Sequence, residues 1–420
     1  MINKDLLKAW NKKFGEGTAT VGVDNVEDRG TFSLGSPSLD FMLYNSLPQS
    51  GFIEFNGLEH SGKTTAAFLV AADFIRKEKE KKQNNPSYEC RSILFVDAEC
   101  TADPVWAKIS TGYDMNDKDV ETLRIVAAGQ SAEEFFDMVI EAVKTGEFGL
   151  VIFDSLTAIV KGQIVDSSME KMDMGGIAKP LGDFTKKCVG LLNRYKCVFI
   201  GINGITQNIS GYGNPETTPG GLTWKRMCVV RIKFKKGDLF DENDEILKST
   251  AANPAGHIIE AYLQKSKVCR SDRKLAYVHL NYTKGIDLLW DLVDVATVVG
   301  LIDNSTQGTF KFLDPDTGEL LLDSEGNEIT SKCIQEENLL TCTPEFTEDK
   351  SYSIFFMNQC SELTSTGITV TNYLRQSIQV TNIEFTDNKQ CYTDKDSVIT
   401  FTLTLDKPPT GIEDIIAEFI

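Results

Sequence analysis

Gly57-Leu58-Glu59-His60-Ser61-Gly62-Lys63-Thr64 is the stretch of this 420-residue chain whose residue types and spacing specify chemistry most sharply. It fits G-x-x-x-x-G-K-[ST], in which two glycines let successive backbone N–H groups turn inward around an anion. A helix beginning at the end of the loop adds positive potential. The chemistry implied is capture of a nucleoside triphosphate, with Lys63 on the β- and γ-phosphates and the Thr64 hydroxyl on a magnesium ion. Two acidic positions close apolar runs. Ser92-Ile93-Leu94-Phe95-Val96 leads into Asp97-Ala98-Glu99, and Leu150-Val151-Ile152-Phe153 leads into Asp154-Ser155. Asp154 suits the magnesium shell, and Glu99 suits a base that polarises an attacking water. A solvated strand-end acid is the plainer reading of Glu99.

Groups of this kind need strands and helices to hold them. Phe52-Ile53-Glu54-Phe55 reads as a short buried strand ahead of the loop, and residues 65–82 as a helix packed on a sheet. Ser131-Ala132-Glu133-Glu134 has the S-x-x-E form of a capping box and opens a helix through Val143. Val198-Phe199-Ile200-Gly201-Ile202 is a further strand, finishing in Asn203. Alternation of strands and helices from 50 to 203 predicts a mostly parallel sheet flanked by helices, with ligands at the carboxyl ends of its strands. Two connections at that edge, 161–176 and 206–221, are long and polar, with Lys161, Lys171, Lys179, Lys186, Lys225 and Arg226 nearby to meet phosphates. Solvated loops are the alternative. Residues 2–14 set Ile2, Leu6, Leu7, Trp10 and Phe14 on one helical face, which must dock on its own core or on a neighbour.

With 41% hydrophobic and 25% charged residues, the chain has material for a sizeable core and more than one folding unit. No apolar run approaches the ~18 residues of a membrane span, and the N-terminus is too polar for a secretory signal. Ten cysteines without a CxxC pair, beside three histidines, argue against zinc and for reduced thiols in a cytoplasmic protein. The net charge of −18 is uneven: residues 309–420 hold 20 acidic and 7 basic side chains, leaving 41 and 36 for the rest. The first three quarters are therefore not too acidic to meet DNA.

These motifs resemble the RecA family of ATP-dependent homologous recombinases, of the bacterial and phage type, from about residue 2 to about residue 305. The most specific piece is Gly213-Asn214-Pro215-Glu216-Thr217-Thr218-Pro219-Gly220-Gly221, similar to the family's second DNA-binding loop. Gly35-Ser36-Pro37-Ser38-Leu39-Asp40, Val96-Asp97-Ala98-Glu99 with Asp103-Pro104, and Val151-Ile152-Phe153-Asp154-Ser155 are also similar. Residues 8–17 resemble the end of the helix by which each subunit grips its neighbour, which favours a polymerisation role over core docking. The resemblance implies a P-loop ATPase core using ATP and Mg2+, with Glu99 as the catalytic glutamate beside Lys63. Thr65, Trp106, Asp154 and Tyr282 join the loop residues in contacting nucleotide, with Trp106 stacked on the adenine. Lys265 and Lys267 reach across a filament interface to the neighbour's γ-phosphate, as an arginine finger would in trans. Met174 and Gly175 fall in the first DNA loop, with Lys179 and Lys186 facing the DNA backbone. Tyr212 approaches the bases, and Gly213, Asn214, Gly220 and Gly221 shape the second loop.

Some positions depart from that pattern. After Asn203 the family usually has a polar residue, often Gln, that senses the γ-phosphate; here it is Gly204, with Gln207 three residues on as a substitute. The second loop is one residue shorter, and Pro219 replaces a usual Thr.

The implied function is an ATP-dependent recombinase that forms homo-oligomeric helical filaments on single-stranded DNA and exchanges strands with double-stranded DNA. A RecA-derived regulator with little ATP turnover and a hexameric helicase-type motor are the alternatives. Four parts are expected: 1–33 for oligomerisation, 34–285 as the ATPase core, 286–330 as a small α/β region and 331–420 as an acidic β-rich module. Within the tail, residues 310–321 read as a hairpin and 353–356, 367–370, 378–383 and 398–403 as short strands. Residues 411–420 read as a short amphipathic helix or a peptide motif. The module is either a passive appendage or a docking point for a replication or recombination partner, and no membrane is involved.

Overall fold

Apolar runs ended by polar residues become the strands that carry the site. The structure, a computed structural model, describes residues 4–14, 19, 31–159, 176–207, 216–306, 309–313 and 319–320, and the strand segments 330–336, 339–344, 351–354, 368–372, 380–385, 401–405 and 415–419. The chain divides into two units, Met1–Asp287 and Leu288–Ile420.

In the first unit the elements run α1 (Lys4–Phe14), α2 (Pro37–Met42), β1 (Gly51–Gly57), α3 (Lys63–Asn84), β2 (Ser92–Asp97), α4 (Pro104–Thr111), β3 (Thr122–Val126), α5 (Ala132–Thr145) and β4 (Phe148–Asp154). They continue as α6 (Ala178–Tyr195), β5 (Val198–Asn203), β6 (Thr206–Gln207), β7 (Glu216–Thr217), α7 (Gly221–Met227), β8 (Val230–Phe240), β9 (Ile246–Leu247), β10 (Gly256–Ser266), β11 (Leu275–Asn281) and β12 (Gly285–Ile286). One mixed sheet orders its strands β12-β11-β10-β8-β1-β5-β4-β2-β3, with β9 beside β8. Pairing is parallel from β8 to β3 and antiparallel from β8 to β12.

Helices cover both faces of the sheet's centre, and all seven residues of β4 are buried. One core, with Phe55, Phe68 and Phe95, lies beneath α3. The other, with Phe52, Phe153, Phe199 and Trp224, lies beneath α5 and α6. Phe153 is fully buried, and truncating such a side chain to Ala costs about 3–5 kcal/mol. The predicted capping box is present: Ser131 Oγ accepts from Glu134 N at 3.3 Å while the Glu134 carboxylate accepts from Ser131 N at 2.7 Å.

Three expectations change. The antiparallel half of the sheet, from β8 to β12, extends what the alternation up to residue 203 predicts. The 206–221 connection is not loop throughout, because β6 and β7 pair antiparallel at its base. Residues 415–419 form a strand rather than a helix, with Ile415 paired to Asn372 and Ile416 to Thr371; β-branched residues favour that pleated setting. On α1, Leu6 is 46% and Trp10 48% exposed.

The second unit begins with α8 (Leu288–Val298). A four-stranded antiparallel sheet follows from β13 (Ile302–Thr306), β14 (Thr309–Phe312), β15 (Thr330–Glu336) and β16 (Leu339–Pro344). Leu313 bridges Leu320 across the predicted hairpin. β17 (Ser351–Ile354), β18 (Ile368–Asn372) and β21 (Ile415–Phe419) form a second sheet, and β19 (Val380–Phe385) pairs with β20 (Phe401–Leu405).

Candidate functional site

The loop between β1 and α3 is built for close approach. Gly62 sits in the left-handed region at φ 86, and a Cβ there would lie 2.6 Å from Ile259. A Cβ on Gly57 would lie 2.4 Å from the Phe234 carbonyl oxygen of β8. Glycine is the residue that fits either place. Ser61, buried, donates to Leu58 O at 2.7 Å and braces the turn. Leu58, Glu59 and His60 are exposed on the loop's outer arc, and Thr65 is buried beneath it. Lys63 Nζ donates to Leu58 O at 2.6 Å, and burial lowers its pKa against the raising pull of Asp154, Glu99 and Glu59.

Strand register brings the acids to the same edge. Asp97 stands beside Asp154 across the β2–β4 pair. Thr64 Oγ1 donates to Asp154 Oδ2 at 2.8 Å. Burial raises the Asp154 pKa to about 6; Thr64 opposes that rise, and Glu99 and Asp97 add to it. Asp97 is tied to Arg124 at 2.6 Å and accepts from Thr101 N and Ala102 N, which fixes the segment carrying Glu99. The Glu99 carboxylate accepts from Ser155 Oγ, and Ser155 Oγ meets Thr157 Oγ1 at 2.8 Å. The set fits the implied ligands: a glycine cradle at the N-terminus of a 22-residue helix for phosphate, and a hydroxyl with a carboxylate as hard oxygen donors for magnesium. No group of three or more His, Cys, Asp or Glu able to hold a metal occurs among the described residues, and a magnesium site shared with phosphates needs none.

Beside the loop lies a buried polar cluster. Glu54 of β1 is fully buried and accepts from Asn203 Nδ2 and Trp224 Nε1, each at 2.8 Å, and from Arg231 Nε. Asn203 also donates to Pro219 O at 3.0 Å, and Arg231 to Thr218 Oγ1 at 3.1 Å, so the cluster holds the foot of the second long connection. Gly220 and Gly221, at φ 100 and φ 74, press against Leu181 and Ala178 of α6. Both long connections therefore re-enter the fold at one place. Lys179 and Lys186 are exposed along α6, Lys186 within 3.8 Å of Asp183. Met174, Gly175, Tyr212, Gly213 and Asn214 lie outside the described residues.

Other predicted residues stand apart from the loop's contacts. Lys265 Nζ donates to Lys225 O at 2.6 Å and Arg226 O at 2.8 Å, satisfying carbonyls at the end of α7, while Lys267 is exposed. Trp106 is half-buried on α4, which Asp103 caps. Tyr282 shares its hydroxyl with His257 Nδ1 at 3.0 Å. Sequence reasoning missed Glu54 with Arg231, Asp97 with Arg124, and Ser155 with Thr157. The one signal for Glu54 was an acid in the middle of an apolar strand.

The family model of the RecA N-terminal domain matches residues 2–287. Among curated proteins, Protein RecA of Thermotoga maritima is 28% identical over 301 residues, covering 71% of this chain and 77% of its own length. Protein RecA of Fusobacterium nucleatum is 29% identical over 319 residues, covering 75% and 77%. The crystal structure of the RadB recombinase aligns at TM-score 0.41 and 15% identity, covering 61% of this chain and 98% of that one.

Proposed function

The chain belongs to the RecA family, nucleotide-binding ATPases of recombination and repair, and from that premise we propose that it is an ATP-dependent DNA recombinase. The observation that carries the reading is the assembly of Lys63, Thr64, Asp154 and Glu99 at one sheet edge, beside the foot of the second long connection. Lys63 and the loop N–H groups hold the β- and γ-phosphates, and Thr64 and Asp154 hold magnesium, which neutralises charge on the phosphates when bound. Glu99 takes the proton of the attacking water. Trp106 and Tyr282 face the base.

On this reading α1 docks on the next subunit of a filament, and Lys265 and Lys267 approach that neighbour's nucleotide. Met174, Gly175, Lys179, Lys186, Tyr212, Gly213, Asn214, Gly220 and Gly221 meet single-stranded DNA, and double-stranded DNA is the partner in exchange. Residues 1–33, 34–285, 286–330 and 331–420 serve as oligomerisation arm, ATPase core, small C-terminal region and acidic module, the last recruiting a replication or recombination protein. The cytoplasm is the proposed location; among the described residues no helix is long and apolar enough to cross a membrane.

The test is ATP hydrolysis with and without single-stranded DNA, in the unmodified chain and in Glu99→Gln. Stimulation by DNA that falls about 100-fold or more in the variant is expected. Tight ATP binding with no stimulated turnover would instead favour the second reading, a regulator with little turnover, which Gly204 supports.

A further inference from the structure

Glu99 does not hold its own position. It is exposed on the segment after β2, and its carboxylate is received by the hydroxyl of Ser155, which is buried. Ser155 has one proton to give, and a carboxylate at this place only accepts. The 2.8 Å contact between Ser155 Oγ and Thr157 Oγ1 must then have Thr157 as its donor. Two hydroxyls in series polarise one another, so the pair orients the carboxylate more firmly than one alone.

Thr157 also faces the far strand. Leu156 N donates to Ile202 O at 2.8 Å, binding the turn after β4 to the end of β5. Gly204 follows Asn203 there, and a Cβ added to it would lie 3.3 Å from Thr157 Cγ2 and 3.5 Å from Thr157 Oγ1. Thr157 thus stands between Glu99 and the residue from which the second long connection departs.

We infer that Thr157 is a positioning residue for Glu99: acting through Ser155, it fixes the carboxylate, and against Gly204 it feels the position of the segment leading to the second long connection. The inference rests on the proposed role of Glu99. Were Thr157 merely the support of its own turn, where Ala158 N donates to Ser155 O at 3.2 Å, its loss would change stability and not turnover.

The experiment uses the full chain with ATP, reading turnover and, separately, affinity for a fluorescent ATP analogue. Thr157→Val keeps the shape and removes the hydroxyl. It is expected to lower kcat about tenfold, the worth of one hydrogen bond, with KM and analogue affinity within about twofold. Thr157→Ser should restore kcat to within about twofold. Gly204→Ala should lower kcat about threefold in the unmodified background and have no effect on top of Thr157→Ala, a coupling that independent sites lack. Unchanged kcat in Thr157→Val, equal loss in Thr157→Ser, or additive effects in the 157/204 pair overturn the inference. If Glu99→Gln abolishes turnover while Thr157→Val leaves it intact, only the inference falls. Full turnover in Glu99→Gln, or none in the unmodified chain, removes the reading of Glu99 and the inference with it.

Discussion

Glu54 in β1 and Asp154 at the end of β4 are buried acids of one sheet, held in different ways. Glu54 accepts from an asparagine amide, an indole N–H and a guanidinium, so its lone pairs and its charge are answered from within the chain. Asp154 accepts from Thr64, and burial drives its pKa up to about 6. A buried carboxylate saturated by protein donors holds strands together; one left short of donors is available to a cation from outside. Position in the sheet does not separate the two roles, but the donor count does.

The largest effect that would sharpen this contrast is in Glu54→Ala. It strands Arg231 in the interior and should cost about 3–5 kcal/mol, read as a large drop in melting temperature. A melting temperature close to that of the unmodified chain would erase the distinction. Lys63→Ala should do the reverse, melting normally while triphosphate affinity falls roughly 100-fold, about 2–3 kcal/mol for a charge-assisted contact. Nucleotide-dependent binding to single-stranded DNA should disappear with it. Asp154→Asn should weaken magnesium-dependent nucleotide binding about tenfold, by titration with and without the metal. In metal-free buffer the same variant should melt no lower at pH 7. A folded pKa above the unfolded value means that stability is present at low pH and is lost as pH rises through about 6, and asparagine escapes that loss.

The smallest effect concerns a buried group that stays uncharged. Burial lowers His257 to about 4, helped by Lys236 and His279, while Tyr282 shares its ring nitrogen. The unfolded chain therefore takes up the proton first, and stability contributed by His257 is lost as pH falls from about 6.5 towards 4. His257→Gln should flatten that acid limb while shifting stability at pH 7.5 by under about 1 kcal/mol, as melting curves at pH 5 and 7.5 would reveal.

Local signals carried much of this molecule. The phosphate loop, the acids after β2 and β4 and the Ser131 capping box were legible because each depends on neighbours a few residues away. β8 alternates Val230, Ile232 and Phe234 with Arg231, Lys233 and Lys235, a period-2 pattern bridging the parallel and antiparallel halves. Glu54 could not be understood alone, since Arg231 lies 177 residues away in the chain. Lys265 was legible as a conspicuous lysine, but its hold on the Lys225 and Arg226 carbonyls depends on how β10 packs beside α7. The final Ile-rich segment matched a helical period, and its pairing with β18 decided for a strand.

β1 is ladder-bonded on both sides, to β5 and to β8, and its residues from Phe52 to Gly57 are buried. Its amides can meet solvent deuterium only when the whole sheet opens, so they should be among the slowest in the chain to exchange. The strand that delivers the phosphate loop is then also the last to yield on warming. Capacity for nucleotide should persist, in a partly denatured sample, as long as any native signal does.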